Sequence, residues 1–288
     1  MTEQIDLDKL KERFDTDGFA IVPGFLSQSD LTAMISEINL HYGSSARGET
    51  KGEDFDQFAT EVIPWDPVAG GNAFFAALLA SSNLDRITSG CVGAGYAGTQ
   101  SLVMLSPPGG KGQAWHQDEI YIPTRDRSLI GAWIALDDAT IENGCLWVVP
   151  GSHRTGHLYP QRQHDNTDEF DFGTQSYGFD ESLEVPVEVK TGSVVFFNGY
   201  LLHRSQKNRS NIYRRVLVNH YMNAWSLLPW EVSEGGTAAL ADCRRVVPVA
   251  GVDPYSWKGI DAPIKNVWLR TAKAVEENSR TRETAALK

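Results

Sequence analysis

The stretch SLVMLSPPGGKGQAWHQD, Ser101 to Asp118, decides how this chain folds. Ser101 to Leu105 is a short β-type run and Gln113 to Asp118 is a second, with the strong turn signal Pro107-Pro108-Gly109-Gly110 between them. The same texture recurs downstream in Ile130–Leu136, Leu146–Val149, Val185–Val189, Val194–Phe197 and Arg214–Met222. Asn143-Gly144, Pro150-Gly151 and Thr191-Gly192 mark turns among these runs. Many short strands with spaced turns predict a sandwich or jelly roll.

Upstream the pattern is helical. Leu7, Leu10 and Phe14 fall at helical spacing before the turn Asp17-Gly18, and Phe19 to Val22 then reads as a strand closed by Pro23-Gly24. Ser27 to Asp30 offers N-cap chemistry for a second helix with Leu31, Met34, Ile35 and Ile38 on one face. After a polar loop containing Gly48 and Gly52, Ala73–Leu79 and Asn83–Ile87 read as further helix, and a helical tail is expected from about Ala262. The expected class is therefore α+β, one domain over residues 1–288. It has a helical part to about 95, a β core over about 99–222 and a C-terminal extension over about 223–288. Tyr159 to Ser182 is polar, acidic and poorly patterned, and reads as a long loop.

Composition narrows the function classes. Hydrophobic residues make up 41% and charged residues 22% of 288, the balance of a globular chain rather than a disordered one. No apolar run approaches the ~20 residues that span a bilayer, and the N-terminus is too polar for a secretory signal. The C-terminus TAALK matches no common retention or peroxisomal signal, so the expected location is cytoplasmic, with no membrane partner. A net charge of −11 argues against a nucleic-acid partner, because phosphate binding needs a basic face. Cys91, Cys145 and Cys243 are odd in number and widely spaced; they read as reduced thiols, not as a disulfide framework or a zinc ribbon.

The chemistry lies in three separated residues. In an extended segment residues i and i+2 share a face, so His116 and Asp118 project together as one imidazole and one carboxylate. His203, after the run Ser193–Asn198, is the candidate third ligand. Two histidines and one carboxylate with open positions suit non-haem Fe(II) oxygen chemistry. Histidine-x-aspartate alone is a weak signal, since a lone strand histidine is more often packed than ligating. The second signal is Arg214: a guanidinium inside a β core is costly unless an anion pairs with it, and a dicarboxylate supplies one. Alternation leaves open whether Arg214 or its neighbour Arg215 points inward.

WHQDE at Trp115–Glu119, WIALDDATIENGCLWVVPGSH at Trp133–His153, HRS at His203–Ser205 and then Arg214 together resemble the phytanoyl-CoA dioxygenase family of Fe(II)/2-oxoglutarate oxygenases. The resemblance covers Thr99 to Met222 and is weaker in the N-terminal third, around 159–182 and around 225–260. It implies a double-stranded β-helix (jelly roll) core, and iron held by His116, Asp118 and His203. It implies further that Arg214 takes the distal carboxylate of the cosubstrate 2-oxoglutarate, that Ser205 donates a hydrogen bond to it, and that Trp133 stands close by, with dioxygen as oxidant. Met104 is the nearest candidate for the methionine, and Lys51 for the N-terminal lysine, that some members set against the cosubstrate.

For a small-molecule substrate the candidate contacts are Gln113, Trp115, Tyr121 and Arg125, with Arg127 beside them; Arg125 and Arg127 read equally well as an exposed loop pair. His153 is expected to order a loop; His220 shares strand parity with Arg214, which allows it to face the pocket, with core packing the favoured reading. His41, His157 and His164 are expected to be solvated, and Glu142-Asn143-Gly144 to form a turn. With Asp118 present no coordination position is vacated for halide, so hydroxylation is favoured over halogenation, with desaturation and ring chemistry left open. Two rivals remain: a zinc hydrolase, which would give Arg214 no purpose, and a non-catalytic jelly-roll binding module.

Overall fold

The computed structural model describes residues 6–42, 96–171, 173–226 and 247–258. Helix α1, Leu7–Asp17, starts where the Asp6 carboxylate accepts the Lys9 N–H at 3.2 Å and stops at Gly18, left-handed at φ 85°. Phe14 on its inner face is buried. Strand β1, Phe19–Val22, follows, and then α2, Gln28–Tyr42. Ser27 caps α2: its hydroxyl accepts the Asp30 N–H at 3.2 Å while Asp30 accepts the Ser27 N–H at 3.3 Å. Leu31 and Met34, two of the four residues expected on one helical face, are buried.

The remaining strands are β2 (Tyr96–Ser106), β3 (Ile130–Ala135), β4 (Leu146–Val148), β5 (Gln161–Gln163), β6 (Thr174–Ser176), β7 (Val185–Val187), β8 (Val194–Asn198), β9 (His203–Ser205), β10 (Arg214–Asn223) and β11 (Val247–Ala250). Six form one antiparallel sheet in the order β1-β8-β3-β10-β2-β11, and three form a second in the order β7-β4-β9. The sheets face one another across a common core. Trp133, Val195, Phe197, Val216 and Val218 from the large sheet meet Leu146, Val148 and Val187 from the small one. Each such side chain contributes roughly 1.5–3 kcal/mol when taken out of water. The outer face of the large sheet is covered too: the Phe25 ring meets Phe196 edge-on, with centroids 6.4 Å apart. Burial on both faces explains why Ile130–Ala135 and Val194–Phe197 read as unbroken apolar runs.

The expected strand Gln113–Asp118 is not a regular one. Gln113 to His116 lies antiparallel along β9, joined by a bridge at His116 and by the Ser205 N–H donating to Gln113 O at 3.0 Å. The chain then turns into a short 3-10 helix, Asp118–Ile120, because Asp118 O accepts the N–H groups of both Tyr121 and Ile122 at 2.9 Å. The loop expected over 159–182 is also partly ordered, as β5 and β6 pair in a separate two-stranded ribbon. Its residues, Gln161-Arg162-Gln163 and Thr174-Gln175-Ser176, bury little apolar surface and so carry no hydrophobic alternation to read. The expected helices at Ala73–Leu79, Asn83–Ile87 and beyond Ala262 lie outside the described residues, as do Lys51, Cys91 and Cys243. Among the described residues no helix is long and apolar enough to cross a membrane.

Candidate metal centre

His116 and His203 meet because their backbones pair. The His116 N–H donates to His203 O at 3.0 Å and the His203 N–H to His116 O at 3.1 Å, leaving the rings 4.1 Å apart. Gln117 is extended at φ −130°, ψ 129°, so Asp118 returns to the face that carries His116 although a helical turn begins there. One donor atom from each of His116, Asp118 and His203 lies within 4.8 Å of the others, and all three side chains are buried. Asp118 Oδ1 is 3.5 Å from Nε2 of each histidine.

Backbone carbonyls set the tautomers. His116 Nδ1 is 2.8 Å from Ala114 O and His203 Nδ1 is 3.0 Å from Leu201 O. A carbonyl only accepts, so Nδ1 carries the proton in each ring and the Nε2 lone pair is turned toward Asp118. Burial, with His203 nearby, pushes the His116 imidazole from its ordinary 6.5 down to about 3. Burial alone would raise Asp118, but His203 and His220 outweigh it and hold the carboxyl below the usual carboxylate range. With both Nδ1–H groups held by carbonyls, the two Nε2 atoms beside the Asp118 carboxylate form a donor set suited to a divalent ion. Cis ligands bonded at about 2.1 Å sit ~3 Å apart, so spacings of 3.5 Å need little adjustment.

The residues between and after the ligands lock this register. Gln117, fully buried, accepts the Tyr159 N–H at 2.7 Å and donates to Tyr200 O at 2.7 Å. Glu119 accepts the Thr124 hydroxyl at 2.5 Å and its N–H at 2.8 Å, tying the loop after Asp118 to the site. His220, expected to be a packing residue, instead donates through Nε2 to Asp118 Oδ2 at 2.8 Å. Shared parity with Arg214 along β10 was the available signal for it.

That parity also settles which arginine points inward. Arg214, Val216 and Val218 face the core, while Arg215 pairs with Asp137 through bonds of 2.6 and 2.8 Å. The Arg214 guanidinium lies 5.7 Å from the Trp133 ring centroid. Its Nε has no hydrogen-bond partner, and among the described residues no carboxylate reaches it in an ion pair. Burial pushes it down to about 10, still a cation at neutral pH. Ser205 is buried on the same face of β9 as His203, and its hydroxyl accepts the Gln113 N–H at 3.1 Å. Met104, cross-strand from Val216, packs against the core cluster on this inward face.

The expected substrate contacts are scattered. Tyr121 stands at the centre, its ring 5.9 Å from His116 and half exposed. Gln113 is half-buried along β9. Trp115 points away from His116: it packs against Phe179 at 5.4 Å, donates to Glu181 at 3.2 Å and carries the Arg204 guanidinium over its ring. Arg125 and Arg127 are exposed, the latter over the Tyr200 ring. His153 does order a loop, with Nε2 3.1 Å from Asp15 O, and His157 is exposed. His164 is half-buried, with Nε2 2.7 Å from Asp171 O.

Two facing antiparallel sheets, a buried two-histidine, one-carboxylate group and a buried arginine on the strand that carries His220 define the class. The sequence pattern of the phytanoyl-CoA dioxygenase (PhyH) family matches residues 14–216, and the chain belongs to that family. It is 39% identical to phytanoyl-CoA dioxygenase 1 of Oryza sativa subsp. japonica over 137 residues, 46% of this chain and 48% of that protein. The chain thus matches about half the length of its curated relatives. Among solved structures it resembles the non-haem α-ketoglutarate-dependent carbocyclase SnoK at 20% identity and a TM-score of 0.61, covering 86% of this chain and 97% of that one. It also resembles the epimerase SnoN in complex with Fe3+, α-ketoglutarate and nogalamycin RO, at 19% identity and a TM-score of 0.58, covering 86% and 96%. At these identities the two structures bear on the fold.

Proposed function

We propose that the chain is a non-haem Fe(II)- and 2-oxoglutarate-dependent dioxygenase that hydroxylates an unactivated C–H bond of a small organic substrate. In this reading the facing sheets are the two halves of a double-stranded β-helix. The observation that carries it is Arg214, a buried cation with no carboxylate partner among the described residues, on the strand that also presents His220 to Asp118. A protein holding metal for structure alone has no use for such a cation, which costs several kcal/mol unless an anion compensates it. Membership of the family and the metal-compatible donor set support the same conclusion.

His116, Asp118 and His203 would hold the iron. Bound there, iron supplies the dioxygen chemistry that turns substrate, dioxygen and 2-oxoglutarate into the hydroxylated product, succinate and carbon dioxide. The chain's own groups bind and orient. Arg214 clamps the distal carboxylate of 2-oxoglutarate, Ser205 donates its hydroxyl to the same group, and Trp133 walls the guanidinium from water. The carbonyls of Ala114 and Leu201 keep the two imidazoles in the ligating tautomer. Tyr121 borders the face where substrate approaches.

The test is succinate release from 2-oxoglutarate in the presence of Fe(II) and dioxygen across a substrate panel, with Asp118→Ala alongside. Release that needs all components and is lost in the variant supports the oxygenase. Turnover with Zn(II) and without 2-oxoglutarate would establish a hydrolase, and metal binding without turnover of any substrate would leave a binding module.

A further inference from the structure

The Asp118 carboxylate has two oxygens, and the fold uses them differently. Oδ1 stands 3.5 Å from both ligating nitrogens, whereas Oδ2 accepts a hydrogen bond from His220 Nε2 at 2.8 Å. His220 is buried on β10, the strand between β3 and β2, with Gly131 and Gln100 as its cross-strand neighbours. Gly131 has no Cβ, and one built there would stand 2.1 Å from the Phe197 ring. The ring fills that space and touches His203 and His220, with centroids 4.8 and 6.5 Å away. His220 is therefore fixed on a central strand and wedged by an aromatic ring.

We propose that His220 is a positioning residue for the metal centre: it commits one oxygen of Asp118 to a hydrogen bond and so makes the carboxylate a one-oxygen ligand. This rests on the oxygenase reading above. An octahedral ion with three protein ligands keeps three positions, two for a chelating 2-oxoacid and one for dioxygen. An unrestrained carboxylate can bind through both oxygens and would take the last of these. A hydrogen bond from an imidazole N–H to an ionised oxygen is strong and directional, enough to hold the carboxylate turned.

The experiment compares His220→Gln, whose amide nitrogen reaches about as far as Nε2, with His220→Asn, whose amide stops nearer the ring position of Nδ1. Both keep a polar donor on β10. Co(II) is titrated calorimetrically into the metal-stripped 288-residue chain without 2-oxoglutarate, and the ligand-field absorption of the loaded protein is recorded. Outer-shell partners of metal ligands are typically worth 10–100-fold in affinity. The expected result is Gln within about threefold of the wild type, and Asn ~10–100-fold weaker with fainter ligand-field bands as coordination number rises. The role is overturned if Asn matches the wild type in affinity and spectrum, or if Gln is as weak as Asn. Wild-type succinate formation is read separately. Its loss with the Gln–Asn contrast intact removes the oxygenase and leaves the positioning of Asp118; an absent contrast with succinate intact removes only the role of His220.

Discussion

His116 and His203 exchange both backbone hydrogen bonds, at 3.0 and 3.1 Å, although 87 positions separate them in the chain numbering. A pair bonded in this way presents its side chains on one face of the sheet, which is why the rings meet at 4.1 Å. The candidate metal centre is therefore built from main-chain pairing first, and the side chains inherit their convergence. Asp118 joins through the single extended residue Gln117.

Removing the carboxylate takes out one of the three proposed ligands. Asp118→Ala is expected to reduce Fe(II)-dependent succinate formation by more than ~100-fold and to weaken metal binding at least as much. Metal titration and product assay together check this, and wild-type turnover in the variant would sink the triad.

Arg214→Leu should separate binding from stability. Losing a charge-assisted, bidentate contact is expected to raise the KM for 2-oxoglutarate by ~10–100-fold. Removing a buried cation that lacks a carboxylate partner should leave the ligand-free protein no less stable. Thermal unfolding reads both effects: 2-oxoglutarate with metal raises the wild-type Tm and fails to raise that of the variant. A variant that 2-oxoglutarate still stabilises would show that Arg214 is not the anion partner.

The metal-free protein is expected to lose stability on acidification. His116 is held at about 3 in the folded chain against an ordinary 6.5, so the unfolded state takes up its proton first as pH falls. Its contribution is complete above about 6.5 and drains away toward about 3. Asp118 acts in the same sense, since its carboxyl is held low when folded and its share is lost at still lower pH. Denaturant titrations in chelator at pH 7.5 and pH 4.5 measure the loss, and His116→Asn should flatten it. An equal slope in the variant would place the pH sensitivity elsewhere.

Trp115 distinguishes a packing role from substrate contact. Its ring is buried against Phe179 and under Arg204, so Trp115→Ala is expected to cost ~3–5 kcal/mol of stability, the range for large core aromatics. The KM for any substrate found should move little. A stable variant with a strongly raised KM would return Trp115 to the substrate site.

Gly131→Ala probes the wedge behind both histidines. A Cβ 2.1 Å from the Phe197 ring forces that ring to move, at ~1–3 kcal/mol, and the shift passes to His203. Denaturant unfolding and Co(II) affinity should both decline; a variant unchanged in both would mean the ring has room to yield.

Much of this was legible in the sequence because its signals are local. Short β-type runs and Gly or Pro turns marked the main strands, the spacing of His116 and Asp118 put two candidate ligands together, and Arg214 stood out by its position beyond His203. What pairing decides was not legible. Whether Arg214 or Arg215 enters the core depends on Asp137, a residue on the neighbouring connection that captures Arg215. His220 looked like core until the fold brought Asp118 to it, and Trp115 looked like substrate wall until Phe179 and Arg204 closed over it. The β5–β6 ribbon escaped because its strands bury too little apolar surface to leave a pattern.

By itself, then, the sequence determined the β-rich class and the candidate donor groups, since short apolar runs, turn signals and donor chemistry belong to neighbouring residues. Tertiary structure alone decided which charge is buried, which histidine donates to the Asp118 carboxylate and which aromatic stands beside His116. Those choices are made by hydrogen bonds and desolvation between segments far apart in the chain, and no short window of residues contains both partners.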